Sequence, residues 1–431
     1  MLSKLIKKNL ILFCVFTLIF TQSMAQTKMY LSLDSARHYA LEYNKNLINA
    51  GYAVDEAEMK LRETIAQGLP QVDGTVDYSN FFKHSAELGP GFVINFPHTS
   101  NVNLSVGQLI FSGSYIIGIQ TAKLFKTMTE TSLEKSELEI RALVTQAYYL
   151  GLISMKSKEI VAANLQNMKD VVEKTGAMVA AGIMEEVDYD QLRVQANMLE
   201  NANRAAARQV ELAINMLRLQ MGLDVSADIE LTDKLDEIVD RSDFNGTLIN
   251  TLNLDVNIDY RLMELQTSLA GKQVNLQKAA YLPTLTGFYN YTEKLLKPEF
   301  DMQPNHLIGM NMSIPIFSSG LRKSRVNQAK INLMVAENQK ELLSDQLMIQ
   351  EKQLRFNLNT ALEQYESQKA NVEVAQRVFE SIRNKYEQGM ISSLDLTTAN
   401  NNYLQAENSY ISAVMQLLDA HVAMDKLLNR I

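Results

Sequence analysis

The residues able to carry chemistry are few, and they are poorly placed for catalysis. The five histidines, His38, His84, His98, His306 and His421, are scattered, with no paired spacing that would hold a metal ion. The single cysteine, Cys14, lies in an N-terminal apolar run, so it offers the rest of the chain neither a thiolate nucleophile nor a metal ligand. No nucleophile elbow, phosphate loop or zinc motif occurs, so no cofactor is implied and an enzyme is not expected. The 21 methionines would suit copper, but they are dispersed over helix-seam and strand positions, where methionine is an ordinary filler. Two constellations remain. Gly182-Ile183-Met184 and Gly389-Met390-Ile391 place apolar residues behind a glycine, and Asp188 and Asp395 each stand six residues beyond it. The glycines read as left-handed helix ends. The aspartates read as helix N-terminal carboxylates, favoured by the dipole by about 0.3–1 kcal/mol. Apolar residues at such a turn need a cover.

The elements that position these residues are long helices. From Ser318 to Ile431 there is no proline, and the stretch folds back once, near Gly389. Before the turn Leu358, Tyr365, Val372, Phe379 and Tyr386 fall seven apart, with Ala361, Gln368, Ala375 and Ile382 between them. After it, Leu396, Tyr403, Tyr410, Leu417 and Met424 form one file and Ala399, Ala406, Ala413, Ala420 and Leu427 the other. A period of 3.5 residues predicts a left-handed antiparallel hairpin with its seam turned to a partner. Leu321 to Glu387 as one helix would run about 100 Å at roughly 1.5 Å per residue, too long for a compact domain.

The chain is written twice. Leu69-Pro70 through Tyr78 returns as Leu282-Pro283 through Tyr291 at an offset of 213, Ile110-Phe111-Ser112 as Ile316-Phe317-Ser318 at 206, and Gly182–Asp188 as Gly389–Asp395 at 207. All seven prolines fall in two windows, Pro70 to Pro97 and Pro283 to Pro315, which are where helix must stop. Inside them the period changes to two. Val72, Gly74, Val76 and Tyr78 alternate with polar residues, as do Val102, Leu104 and Val106, then Leu285, Gly287, Tyr289 and Tyr291, then Ile308, Met310, Met312 and Ile314. Each window predicts two strands of about ten residues, long enough to cross a bilayer when tilted. Four strands cannot close a barrel, whose minimum is about eight, so copies of the chain must pool them.

The expected organisation is a signal peptide over 1–25, a first repeat over 26–221 (helices 31–67, strands 70–82 and 99–111, helical hairpin 114–221), an acidic connector over 222–246, and a second repeat over 247–431 (helix 247–280, strands 283–292 and 306–317, helical hairpin 320–428). Lys4, Lys7 and Lys8 before the apolar run Leu10–Phe20, and Ser23-Met24-Ala25 after it, give the leader layout. With 49 acidic against 41 basic residues, and three of the latter in the leader, nucleic acid is not expected as a partner. Whether the connector adds a strand or a short helix is open.

These residues together resemble the TolC family of outer-membrane efflux proteins. Leu31-Ser32-Leu33-Asp34-Ser35-Ala36 through Asn46-Leu47 is similar to the family's first helix and Asn-Pro-x-Leu turn, with Lys45 where proline is usual. Leu69-Pro70 and Leu282-Pro283 resemble its strand starts, and Ile110–Gly113 and Pro315–Gly320 its strand exits. Leu217–Gly222 and Leu427–Ile431 resemble its helix ends, the second with Asn-Arg-Ile in place of the glycine. The resemblance implies a mainly α chain with a β-barrel part. Duplicated helical hairpins would form a periplasmic α-barrel, and four strands per chain would join a 12-stranded trimeric β-barrel in the outer membrane. It implies a passive exit duct of a tripartite efflux or type I secretion system, a homotrimer in outer-membrane lipid that works with a periplasmic adaptor protein and an inner-membrane transporter. In that setting Gly182, Ile183, Met184, Gly389, Met390 and Ile391 would be adaptor-docking tips. Asp188, Tyr386 and Asp395 would form the gate, as a cation-attracting, pH-sensitive ring with polar links between turns. Thr398 stands at the family's second acidic position and Ile391 at an arginine position, which weakens ring and links. A periplasmic adaptor would carry only one hairpin between glycine-rich β segments, and a trimeric adhesin or stalk would lack the strand windows.

Overall fold

The computed structural model describes residues 28–82, 85–95, 98–296 and 303–431, so the expected leader, His84, Pro97 and Pro298 lie outside the described residues. In chain order the first elements are β1 (Met29–Leu31), α1 (Leu33–Tyr43), α2 (Lys45–Ala66), β2 (Gln71–Ser79), β3 (Ser85–Gly89), β4 (Phe92–Asn95), β5 (Thr99–Ser112), α3 (Gly113–Ala180) and α4 (Glu186–Met221). Then follow β6 (Ile229–Leu231), α5 (Leu235–Arg241), α6 (Phe244–Ile249), α7 (Ile258–Ala279), β7 (Thr284–Lys294), β8 (His306–Ser313), α8 (Leu321–Glu387) and α9 (Ser393–Leu427). The mainly helical fold with strands in the two proline windows is as the sequence predicts. The chain divides into two compact units, one made of the residues up to Asn44 with Ile140–Phe244 and Thr360–Asp419, the other of Lys45–Glu139, Asn245–Asn359 and Ala420–Ile431.

In the first unit the seven-residue files meet as an antiparallel seam. The Phe379 ring stacks on Tyr403 at 5.6 Å and Tyr365 lies 5.9 Å from Tyr410, while Leu396, Ala413 and Leu417 are fully buried. The connector supplies both a strand and a short helix. β6 pairs in parallel with β1, and the buried Tyr148 hydroxyl lies 2.9 Å from Leu31 O and 2.8 Å from Asp233 Oδ2, clamping that pair. Because Leu31 belongs to β1, α1 starts at Leu33 rather than Leu31, capped by reciprocal bonds between Ser32 and Ser35. At the end of α4, Gly222 has φ 74 and a Cβ there would fall 2.2 Å from Tyr43 O, so no side chain fits. Asn44 Nδ2 donates to Gln220 O at 2.6 Å and closes the first repeat on itself.

The second unit holds a four-stranded antiparallel sheet in the order β2-β5-β7-β8, with Val72 opposite Val106 and Tyr289 opposite Ile308. Every residue of β2 is exposed, so both faces of that edge strand are open in the protomer. The long loop of the first window carries its own hairpin, β3 with β4, beyond the two strands that the alternation predicts. The strand expected at 306–317 stops at Ser313, because Pro315 has no N–H to donate and Ser319 and Gly320, at φ 48 and 85, swing the chain into α8. The helix expected at 247–280 is instead α6 and α7 with a break between them. Asn257 makes the break: its side chain accepts from Tyr260 N–H at 3.1 Å, capping α7, and its Nδ2 donates to Leu427 O at 3.0 Å. This repeats the Asn44 bond in the second copy. Asn429, at φ 55, takes the left-handed position that Gly222 holds in the first, a conformation asparagine tolerates best among side-chain-bearing residues.

Candidate functional site

The candidate residues gather at the two turns of the first unit, where α3 passes into α4 and α8 into α9. Gly182 and Gly389 both have φ 72. Gly182 N–H donates to Val179 O and Ile183 N–H to Met178 O, each at 2.9 Å; Gly389 N–H donates to Tyr386 O at 2.8 Å and Met390 N–H to Lys385 O at 3.0 Å. This nested pair of bonds satisfies carbonyls that the last helical turn would leave without partners. The two turns are the same backbone device at equivalent positions.

The apolar residues behind the glycines divide into two kinds. Ile183 and Met390 are 70% and 67% exposed. Met184 and Ile391, one residue further on, pack instead against a buried cluster that includes Leu165, Met168, Leu192, Phe379 and Leu396, with α3, α4, α8 and α9 all contributing. The inward residue anchors each turn and the outward one is presented to solvent. Adjacent apolar letters in a sequence cannot show this division, because it depends on how each turn closes.

The acidic residues also diverge. Asp395 forms a reciprocal cap with Ser392, accepting from its N–H at 3.2 Å and its hydroxyl at 2.7 Å, while Asp395 N–H donates to Ser392 Oγ at 3.2 Å. The matching cap residue of α4 is Glu185, which makes no side-chain cap bond. Asp188 is therefore not engaged in capping, and it accepts from the buried Ser393 hydroxyl at the start of α9. Ser393 Oγ also lies 2.9 Å from Gln191 Oε1.

Tyr386 is 1% exposed, and its hydroxyl shares a 3.0 Å hydrogen bond with the buried Thr175 Oγ1 and sits 3.6 Å from Met184 Sδ. Burial pushes its phenol up from the ordinary tyrosine value, and the negative charge of Asp188 adds to the effect. Asp188 and Tyr386 are each held by a different group, Ser393 and Thr175. A 2.8 Å ion pair from Lys174 to Glu387 closes the exposed side. Sequence reasoning missed Ser392, Ser393 and Thr175. The Ser-x-x-Asp spacing at Ser392 was a readable capping signal; nothing in sequence pointed to Thr175.

Among the described residues no group of three or more histidine, cysteine or acidic side chains could hold a metal ion. His306 meets Tyr289 at 2.8 Å and His421 meets Asp425 at 3.4 Å, both as local polar contacts.

Residues 253–430 match the family model for outer membrane efflux proteins. Over 402 residues the chain is 20% identical to the outer membrane protein TolC of Vibrio cholerae serotype O1, covering 90% of each protein. It is also 20% identical over 404 residues to the solvent efflux pump outer membrane protein SrpC of Pseudomonas putida, covering 90% of this chain and 83% of that protein. In fold it is similar to the outer membrane protein VceC of Vibrio cholerae, with a TM-score of 0.74 at 18% identity over 92% of this chain and 95% of that one. The chain is TolC-like in sequence and in fold, as its motifs suggest.

Proposed function

We propose that this protein is the outer-membrane exit duct of a tripartite efflux or type I secretion system, with its strands in the outer membrane and its helical hairpins extending into the periplasm. The observation that carries this reading is the pair of open edges, β2 and β8, on a four-stranded sheet whose strands are 8 to 14 residues long. No helix among the described residues is long and apolar enough to cross a membrane; in this reading the alternating strands, of a length that crosses a bilayer when tilted, are the spanning elements. Lipid does not tolerate unpaired strand edges, and copies of the chain must close the sheet. Three copies supply twelve strands. The leader 1–25 is removed on export, and the repeats 26–221 and 247–431, joined by the connector 222–246, build the wall.

Channels of this family work with a periplasmic adaptor and an inner-membrane pump. In the same reading the duct performs no catalysis, needs no cofactor and takes its energy from the pump. Ile183 and Met390 are the docking tips that the adaptor covers, with Gly182 and Gly389 shaping the turns and Met184 and Ile391 anchoring them. Asp188, Tyr386 and Asp395 form the gate region. Asp395 is exposed in the first turn of α9 while its Oδ2 holds the cap, and it is the carboxylate that faces a neighbouring copy and attracts cations. Membrane fractionation tests the reading. A heat-modifiable trimer in the outer membrane that conducts ions in a planar bilayer is the expected result; a soluble or inner-membrane monomer overturns it.

A further inference from the structure

The two faces of the four-stranded sheet differ in kind. The registers put Asp73 and Asp77 of β2, Asn103 and Ser105 of β5, and Asn290 and Thr292 of β7 on one face, tied across strands by the 2.8 Å bond from Thr292 Oγ1 to Asn103 Oδ1. The other face carries Val76, Leu104, Tyr289 and Met310, and suits lipid. Among the described residues of these strands, the polar face holds three apolar side chains, Leu109, Phe288 and Leu307. Scattered exceptions would mean little, but these three are contiguous. Leu109 pairs with Thr286, two residues nearer the helices than Phe288, and Leu307 pairs with Asn290, two residues farther from them. Diagonal neighbours of this kind lie about 7–8 Å apart, within reach of an aromatic ring. The three therefore make one stripe across β5, β7 and β8, which climbs about 13 Å away from the helices at roughly 3.3 Å per residue.

The positions directly beside Phe288 are glycines, Gly107 on β5 and Gly309 on β8. They are not equivalent. A Cβ at Gly309 would fall 2.6 Å from the Phe288 ring, so the ring lies down over that backbone, whereas a Cβ at Gly107 would meet nothing within 4 Å. Covering a strand glycine is an ordinary use of an aromatic side chain, and it explains the Gly309 side alone. On the Gly107 side the ring borders bare backbone, with Leu109 next along the same face. This is a shelf one residue wide, walled by a ring and a leucine in an otherwise polar surface. A flat apolar group is released from water when it settles there.

We propose that Leu109, Phe288 and Leu307 form an apolar track on the lumenal wall of the barrel, with Phe288 and the Gly107 shelf as its binding step, and that the track takes planar, ring-bearing organic solutes. The inference rests on the exit-duct reading, which makes the polar face lumenal, and adds where on that wall a cargo is held. The shelf is shallow and open to the lumen, so the hold is weak and brief, as passage requires.

Single-channel recording on the full-length trimer tests the track, with naphthalene-2-sulfonate as the planar probe and methanesulfonate as the ringless one, both added at the barrel end. Anionic probes keep the acidic turns from holding them. Naphthalene-2-sulfonate is expected to block current at concentrations where methanesulfonate does not. Phe288→Leu keeps a cover on Gly309 but removes the ring, and should raise the half-blocking concentration about three- to tenfold, the size of one aromatic contact. Gly107→Val fills the shelf from open space and should raise it similarly, while Phe288→Tyr and, on the lipid face, Leu104→Val should leave it unchanged. Equal block by the two probes, or an unchanged half-blocking concentration in either assembled variant, overturns the track and leaves the duct standing. If Phe288→Leu does not assemble, Gly107→Val decides by the same measure. A chain that forms no conducting trimer overturns the duct, and the track with it.

Discussion

The two turns of the first unit share a backbone and differ in chemistry. Both reverse the chain with a glycine at φ 72 and the same nested carbonyl bonds, and both send one apolar residue out and the next one in. They part at the start of the following helix. The second turn caps α9 with Ser392 and Asp395, whereas the first has Glu185 at the cap position and uses Asp188 to hold Ser393 of the other hairpin. The lesson is that duplication kept what the backbone needs and released what it does not. Once one copy caps its own helix, the equivalent carboxylate of the other copy can cross-link the two hairpins.

The largest expected effect tests what the turns share. Ile183→Glu and Met390→Glu should each reduce export to background while the trimer still assembles, because an unpaired charge buried in an apolar contact costs on the order of several kcal/mol. Normal export by either variant, measured as cargo efflux from whole cells, would remove the docking role. The next tests where they differ. Asp395→Ala should lose a cap worth about 0.5–2 kcal/mol and relieve divalent-cation block of single-channel current. Asp188→Ala should leave that block nearly unchanged and instead loosen the hold on Ser393, seen as more frequent opening; cation block lost equally in both would contradict the division of roles. The smallest effect comes from making the first turn like the second. Glu185→Ser should stabilise α4 by roughly 0.5–1 kcal/mol by forming a reciprocal cap with Asp188. It should also draw Asp188 from Ser393, so hydrogen exchange at the start of α9 would speed up while that of α4 slows.

Periodicity made much of this molecule legible. Heptads in α8 and α9 and alternation in the four sheet strands repeat over enough residues to outweigh local exceptions, and the 207 and 213 offsets tie the copies together. What could not be read is short or depends on a single side chain. β1 and β6 pair over three residues each, too few for any period. The β3–β4 hairpin sits in a window that reads as polar loop. The break before α7 turns on Asn257, whose meaning becomes visible only when it is set against Asn44 at the 213 offset. At the turns, glycine and aspartate positions were legible, but the inward or outward fate of Met184, Ile183, Ile391 and Met390 was decided by packing against residues far along the chain.

The asparagine bonds have a further consequence, for the order in which the molecule is made. Asn44 waits for the carbonyl of Gln220, and Asn257 for that of Leu427. Helices form from near neighbours within microseconds, but a contact this distant in sequence must wait for the ends of its loop to meet. A chain delivered from its N-terminus has residue 220 to hand while the second copy is still being threaded. The first repeat can latch early and serve as a template, and the second latches only on the closing turn of α9. Duplication thus gives a protein of distant contacts an intermediate checkpoint, halfway through its own delivery.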